Sequence, residues 1–217
     1  MSSGMEALYP FLYDEPQGFD AVLEAVSRST AEKAAEIVAV RRVVAERFGE
    51  QLEACARAMA ERFSAGGRLL TFGNGGSSTD AAAVAGVFLA GAESGRPLPA
   101  LTLTADVAVL TALGNDVGFD VVFARQVAAM GRPGDIALAV STSGGSENVL
   151  RALDEAKRQG LLTIGLAGYD GGRMAEADLD FLFAIPSSSV HRIQEAQTTL
   201  YHVLWSLVQG ELSGGNT

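Results

Sequence analysis

This sequence has little that suits oxidising or membranous surroundings, and little concentrated positive charge. Of its 217 residues only Cys55 is a cysteine, so no internal disulfide can form. Cys55 shares a helical stripe with Leu52, Met59 and Phe63, where it reads as a small buried hydrophobe. No apolar run reaches the roughly 18–20 residues that a membrane-spanning helix needs. The opening segment MSSGMEALYPFLYDEPQ has no basic residue and no apolar signal core, which points to a cytoplasmic protein. Lysine and arginine are nowhere clustered, and the formal charge is −10. Direct binding to nucleic acid or to an anionic membrane, both of which require concentrated positive charge, is therefore not expected. An acidic chain still holds phosphate well wherever backbone N–H groups and hydroxyls converge on it.

What is present is a globular composition, 48% apolar and 19% charged. Residues 1–18, with Tyr9, Pro10, Tyr13 and Pro16, read as an irregular arm, and residues 19–217 as one domain. From Phe19 to Phe63 the pattern is helical. Gly49 suggests a break there, and Ser29 followed by Glu32 suggests a further helix start. Val22, Val26, Ile37, Val40, Val43, Val44 and Phe48 exceed what one face of a small domain covers, which predicts a homo-oligomer. After Gly66-Gly67 short apolar runs alternate with helical stretches. The runs are Arg68–Phe72, Ala100–Leu103, Asp135–Val140, Leu162–Leu166 and Phe181–Ile185. They lack polar alternation and so suit strands buried on both faces. The predicted fold is α/β, a three-layer, doubly wound, five-stranded parallel sheet with an N-terminal helical extension and a closing helix over 190–209.

In such sheets ligands bind beyond the carboxyl ends of the strands, and the unusual residues fall there. Ser141-Thr142-Ser143-Gly144-Gly145-Ser146 places four hydroxyls and two glycines where a strand turns into a helix. Tight turning exposes several N–H groups to an anion. An ordinary cap would need Ser146 alone, so this loop reads as a phosphate site. The Gly73–Asp80 loop resembles a dinucleotide fingerprint, but Ser78 stands where the third glycine falls, and Asp106 comes too late for the ribose acid. Asn74, Gly75 and Gly76 fit a sugar better, by close backbone approach and an amide that both donates and accepts. Asn115-Asp116 reads either as a helix-ending turn or as a polyol contact. On the last helix Gln194, Thr198, His202 and Ser206 form a polar stripe opposite Ile193, Leu200, Leu204 and Val208. Gln194 and His202 stand about 12 Å apart along the axis. They serve one ligand only if their side chains lean together or subunits share the site. His191 reads as structural or solvated.

These motifs, GNGGS at 73–77, GND at 114–116, STSGGS at 141–146, GYDGG at 168–172 and RIQE at 192–195, closely resemble the SIS (sugar isomerase) domain family. The nearest subgroup is the phosphoheptose isomerases, which act on sedoheptulose 7-phosphate. The resemblance implies a flavodoxin-like core and a tetramer joined through its N-terminal helices. It implies substrate contacts from Asn74, Gly75, Gly76, Asn115 and Asp116, and a phosphate held by Ser141, Thr142, Ser143 and Ser146. By the same resemblance Gln194 binds substrate and metal, and His202 is the catalytic, metal-binding histidine.

One departure stands out. The family's zinc-binding His and Glu, the latter also a catalytic base, fall at Ala83 and Val87 here. Neither residue titrates or ligates a metal, so the zinc site is incomplete and no cofactor is expected. Moving a proton between adjacent carbons needs a base at the sugar. Two functions follow. One is a phosphosugar isomerase with His202 as its base. The other is a non-catalytic module that senses a sugar phosphate or binds a protein partner.

Overall fold

The structure, a computed structural model, describes residues 19–91 and 95–214. The arm expected over 1–18 lies outside the described residues. The chain divides into two compact units, Met1–Ala39 and Val40–Thr217. One helix, α1, runs Phe19–Ser64. The expected break near Gly49 and the start at Ser29 are corrected: the helix is continuous through both. Gly49 sits among Ala, Glu, Arg and Leu, strong helix formers that carry the roughly 1 kcal/mol a helix-interior glycine costs. The next hydroxyl after Ser29, on Thr30, does not open a new helix either; it bonds back to the Val26 carbonyl at 2.8 Å. In the first unit Val22, Leu23, Val26 and Val38 are exposed. In the second, Val44 and Phe48 are buried, Phe48 meeting Phe183 edge to face, while Val43 is exposed.

The second unit holds the sheet. Its strands are β1 (Leu69–Gly73), β2 (Ala100–Thr102), β3 (Ile136–Ser141), β4 (Leu162–Gly168) and β5 (Phe181–Ile185), all parallel in the order β2-β1-β3-β4-β5. The intervening helices are α2 (Gly76–Ala90), α3 (Val107–Asp116), α4 (Val122–Met130) and α5 (Glu147–Arg158), with α6 (Val190–Gly214) closing the chain. A one-turn 3₁₀ segment, Phe119–Val121, precedes α4. β1, β3 and β4 are buried along their whole length. Their uninterrupted apolar runs meet helices on both faces, as expected for a doubly wound sheet. The α6 stripe Ile193, Leu200, Leu204 and Val208 is buried as well. Below the sheet the buried Asp135 carboxylate takes the Arg68 guanidinium at 2.7 Å and the Arg68 N–H at 2.8 Å, which ties the entry ends of β1 and β3 together. Cys55 is fully buried, and that burial pushes its thiol pKa far up.

With this strand order the chain reverses direction across the sheet between β1 and β3. The crevice beyond their carboxyl ends is the topological switch point. Both loops singled out in the sequence end there.

Candidate functional site

The loop Ser141–Ser146 leaves β3 and enters α5. Gly144 has φ of +62°, and a Cβ on it would collide with the Gly171 carbonyl. Only glycine lets the loop turn this tightly against the segment after β4. Backbone bonds fix it there: Gly168 N–H to the Thr142 carbonyl at 3.0 Å and Met174 N–H to the Gly144 carbonyl at 2.9 Å. Ser146 stands at the N-cap of α5, yet its hydroxyl makes no capping bond. It lies 3.3 Å from the Ser141 hydroxyl instead. Ser143 Oγ accepts from Gly145 N–H at 3.3 Å. Compare α3, where Asp106 caps in the usual way by accepting from Val109 N–H at 3.0 Å. The first residue of α5, Glu147, turns its carboxylate to Arg151 at 2.8 Å and Arg173 at 2.7 Å. Hydrogen bonds from those two guanidinium groups hold its pKa below the usual carboxylate range.

The second loop joins β1 to α2, and this helix start is also uncapped by any side chain. Asn74 and Asn148 exchange two amide bonds, at 2.8 and 3.0 Å, across the switch point. Asn148, on the first turn of α5, thereby locks the two loops to each other, and the sequence reading missed it. Gly76 lies under the Gln194 side chain of α6: a Cβ at Gly76 would collide with Gln194 Nε2. Gly168 likewise leaves room for Ile193, the residue before Gln194. The half-buried Asp80 carboxyl sits beside the Gln194 amide. Desolvation raises its pKa, and the Gln194 hydrogen bond pulls it partly back.

The remaining site residues are placed differently. His202 is exposed, its ring 5.0 Å from that of Tyr201. It lines a shallow groove of about 470 Å³ with Arg41, Thr198 and Ser206. Gln194 stands two turns earlier on α6, half-buried against the start of α2. Asn115 and Asp116 form the exposed last turn of α3 rather than interrupting it, and the Asn115 amide donates to Asp116 at 2.7 Å. His191 is exposed. On α2, Ala81, Val84, Ala85 and Phe88 are buried, while Ala82, Ala83, Gly86 and Leu89 are exposed. A further opening, about 1070 Å³, lies beside edge strand β2 between α2 and α4. Alanines, Leu89, Val109 and Met130 line most of it, with Asp106, Arg125 and Gln126 at its polar part.

A zinc of the family type does not fit the residues present. Its His and Glu positions carry Ala83 and Val87. Among the described residues no three His, Cys, Asp or Glu side chains gather. The Gln194 amide nitrogen is turned to Gly76 and Asp80 rather than toward His202. A structural zinc site takes four ligands and a catalytic one at least three from the protein.

Residues 32–168 match the SIS domain. The phosphoheptose isomerase of Aquifex aeolicus is 42% identical over 175 residues, which cover 80% of this chain and 91% of that one. That of Burkholderia pseudomallei is 40% identical over 190 residues, 87% of this chain and 95% of its own. Among solved structures, the phosphoheptose isomerase of Neisseria gonorrhoeae superposes with a TM-score of 0.79 at 35% identity, covering 85% of this chain and 99% of that one. The Francisella tularensis phosphoheptose isomerase gives 0.80 at 32% identity, covering 85% and 98%. Among the described residues no helix is long and apolar enough to cross a membrane. By sequence, strand order and superposition together, the chain belongs to the SIS domain family, on its phosphoheptose isomerase branch.

Proposed function

We propose that this protein binds a sugar phosphate at the β1/β3 switch point and that it is a poor isomerase of the family's substrate. One observation carries the binding half. Two helix N-termini, α2 and α5, end uncapped at one crevice beside four hydroxyls. Unsatisfied N–H groups at helix starts favour anions. In this reading Ser141, Thr142, Ser143 and Ser146 hold the phosphate, and Glu147 is kept from opposing it by Arg151 and Arg173. Asn74, Gly75, Gly76 and Gln194 hold the sugar, with Asn115 and Asp116 reaching its far hydroxyls. The relatives named phosphoheptose isomerase support sedoheptulose 7-phosphate or a close analogue as ligand.

The chemical half rests on Ala83 and Val87. Aldose–ketose isomerisation moves a proton between adjacent carbons and so needs a base over the sugar. Neither residue supplies one or ligates a metal. His202 remains as a candidate base, and its exposed groove leaves room for a second copy to complete the site. The exposed Val22, Val26 and Val43 support a homo-oligomer, which we take to be a tetramer.

Calorimetry tests the binding half directly, with sedoheptulose 7-phosphate and inorganic phosphate titrated in parallel. The expected result is binding of the sugar phosphate at least tenfold tighter than inorganic phosphate. Equal affinity for the two, or no binding of the sugar phosphate at millimolar concentration, would overturn the reading.

A further inference from the structure

Asp80 belongs to none of the binding sets above. It lies on the second turn of α2, directly behind the Gly73–Thr79 loop, and its Oδ2 is buried with no hydrogen-bond partner. A buried acceptor left unpaired is costly, and an unpaired carboxylate oxygen more so. Asp80 stands one turn after Gly76 on the same face of α2, the face over which the Gln194 amide lies.

The orientation of that amide is unexpected for its surroundings. The start of α2 has no side-chain cap and presents N–H donors. A neutral glutamine lying over such an end should offer its oxygen. Instead Nε2 occupies the space where a Cβ on Gly76 would stand, while Oε1 is 3.8 Å from that position. A carboxylate under the amide accounts for the reversal, because it accepts from Nε2 and repels Oε1. Gly76 contributes by having no Cβ to displace the nitrogen.

We infer that Asp80 is a positioning residue: it holds the Gln194 amide with Nε2 toward α2, which leaves Oε1 as an outward acceptor for a ligand hydroxyl. The inference rests on the sugar-phosphate reading. It adds a source of selectivity for a polyol over a bare phosphate, since inorganic phosphate at pH 7 gains little from a further acceptor while a sugar hydroxyl donates to it.

The experiment is a double-mutant cycle on the full chain, Asp80→Asn, Gln194→Ala and both, each titrated with sedoheptulose 7-phosphate and with inorganic phosphate. The expected result is that each single change weakens the sugar phosphate about tenfold, the loss of one charge-oriented hydrogen bond. The double change should weaken it no further than Gln194→Ala alone, and inorganic phosphate should stay within twofold throughout. Additive losses, or equal weakening of both ligands by Asp80→Asn, would overturn the inference by reducing Asp80 to a structural group. A second measurement needs no variant at Asp80. In the wild-type protein a nuclear Overhauser contact should link the Gln194 side-chain NH₂ to the Gly76 Hα, with Gln194→Ala assigning the signal. Its absence would overturn the inference even if the protein binds sugar phosphate well. Failure of the wild-type protein to prefer sugar phosphate, with that contact present, would instead sink the sugar-phosphate reading alone.

Discussion

The loop after β3 and the helix after β1 flank the same crevice, yet they have diverged in opposite ways. The loop is dense in hydroxyls and pinned by backbone bonds and glycine contacts. The helix is apolar from Ala81 to Ala90, and its outward face carries Ala82, Ala83, Gly86 and Leu89. On the proposed reading one element recognises the ligand, and the other lacks the groups that would act on it. Binding and chemistry would then be separable, because they are assigned to different elements, linked by the Asn74–Asn148 pair.

The contrast is broken most severely at Gly144. An alanine there must adopt φ of +62° and push its Cβ into the Gly171 carbonyl. Left-handed strain and backbone overlap together should cost more than about 3 kcal/mol, lowering Tm by roughly 6–12 °C for a chain of this size. Thermal unfolding by circular dichroism checks this, and Gly86→Ala on α2, where nothing crowds the new methyl, should leave Tm unchanged or raise it. A loop that tolerates Gly144→Ala as easily would not be the pinned element described here.

A smaller effect is expected at the hydroxyls. Ser143→Ala removes one proposed phosphate contact, and should weaken sugar-phosphate binding about tenfold with Tm unchanged. Calorimetry and thermal unfolding on the same sample separate the two. Unchanged affinity would move the phosphate away from this loop.

The smallest effect sharpens the helix side. The Asp80 carboxyl binds its proton more tightly in the folded chain than in the unfolded one, since burial raises its pKa. Such a group adds stability at low pH and loses it as pH rises through the folded-state pKa. At pH 7 ionised Asp80 weakens the fold. Asp80→Asn should therefore leave Tm at pH 7 unchanged or raise it by about 1–3 °C. The gain should shrink as pH falls through the carboxyl range, and a Tm profile from pH 4 to 7 reads it. A clear fall in Tm at pH 7 would mean that the ionised group stabilises the fold.

Much of this architecture was legible in the residues. Each of the five strands follows an apolar run without polar alternation, and each departs from its expected ends by a residue or two at most. The Ser141–Ser146 loop announced itself by having more hydroxyls than a cap requires. The continuity of α1 was not legible at Gly49, because propensity marks a glycine as a weak point but does not say whether its neighbours carry the cost. Asn148 looked like any polar residue on a helix, and only the strand order brings it opposite Asn74. Asp80 was hidden for a similar reason: an aspartate in a helix's early turns ordinarily serves the helix, and its neighbour Gln194 is 114 positions away in the chain. The polar stripe on α6 was read correctly as a stripe, but the period of a helix says nothing about which cavities its turns meet.

The central claim is that binding survives where the reaction has been lost. The most direct measurement is turnover of sedoheptulose 7-phosphate by the wild-type protein and by Ala83→His/Val87→Glu, each supplied with zinc. Binding is measured on the same samples. The two positions lie one turn apart on α2. The expected result is that both proteins bind the sugar phosphate, while wild-type turnover is about 10²–10⁴ below that of the substituted protein, the range a general base contributes. Robust turnover by the wild-type protein, abolished by His202→Ala, would contradict the claim and make this chain an isomerase with a different base.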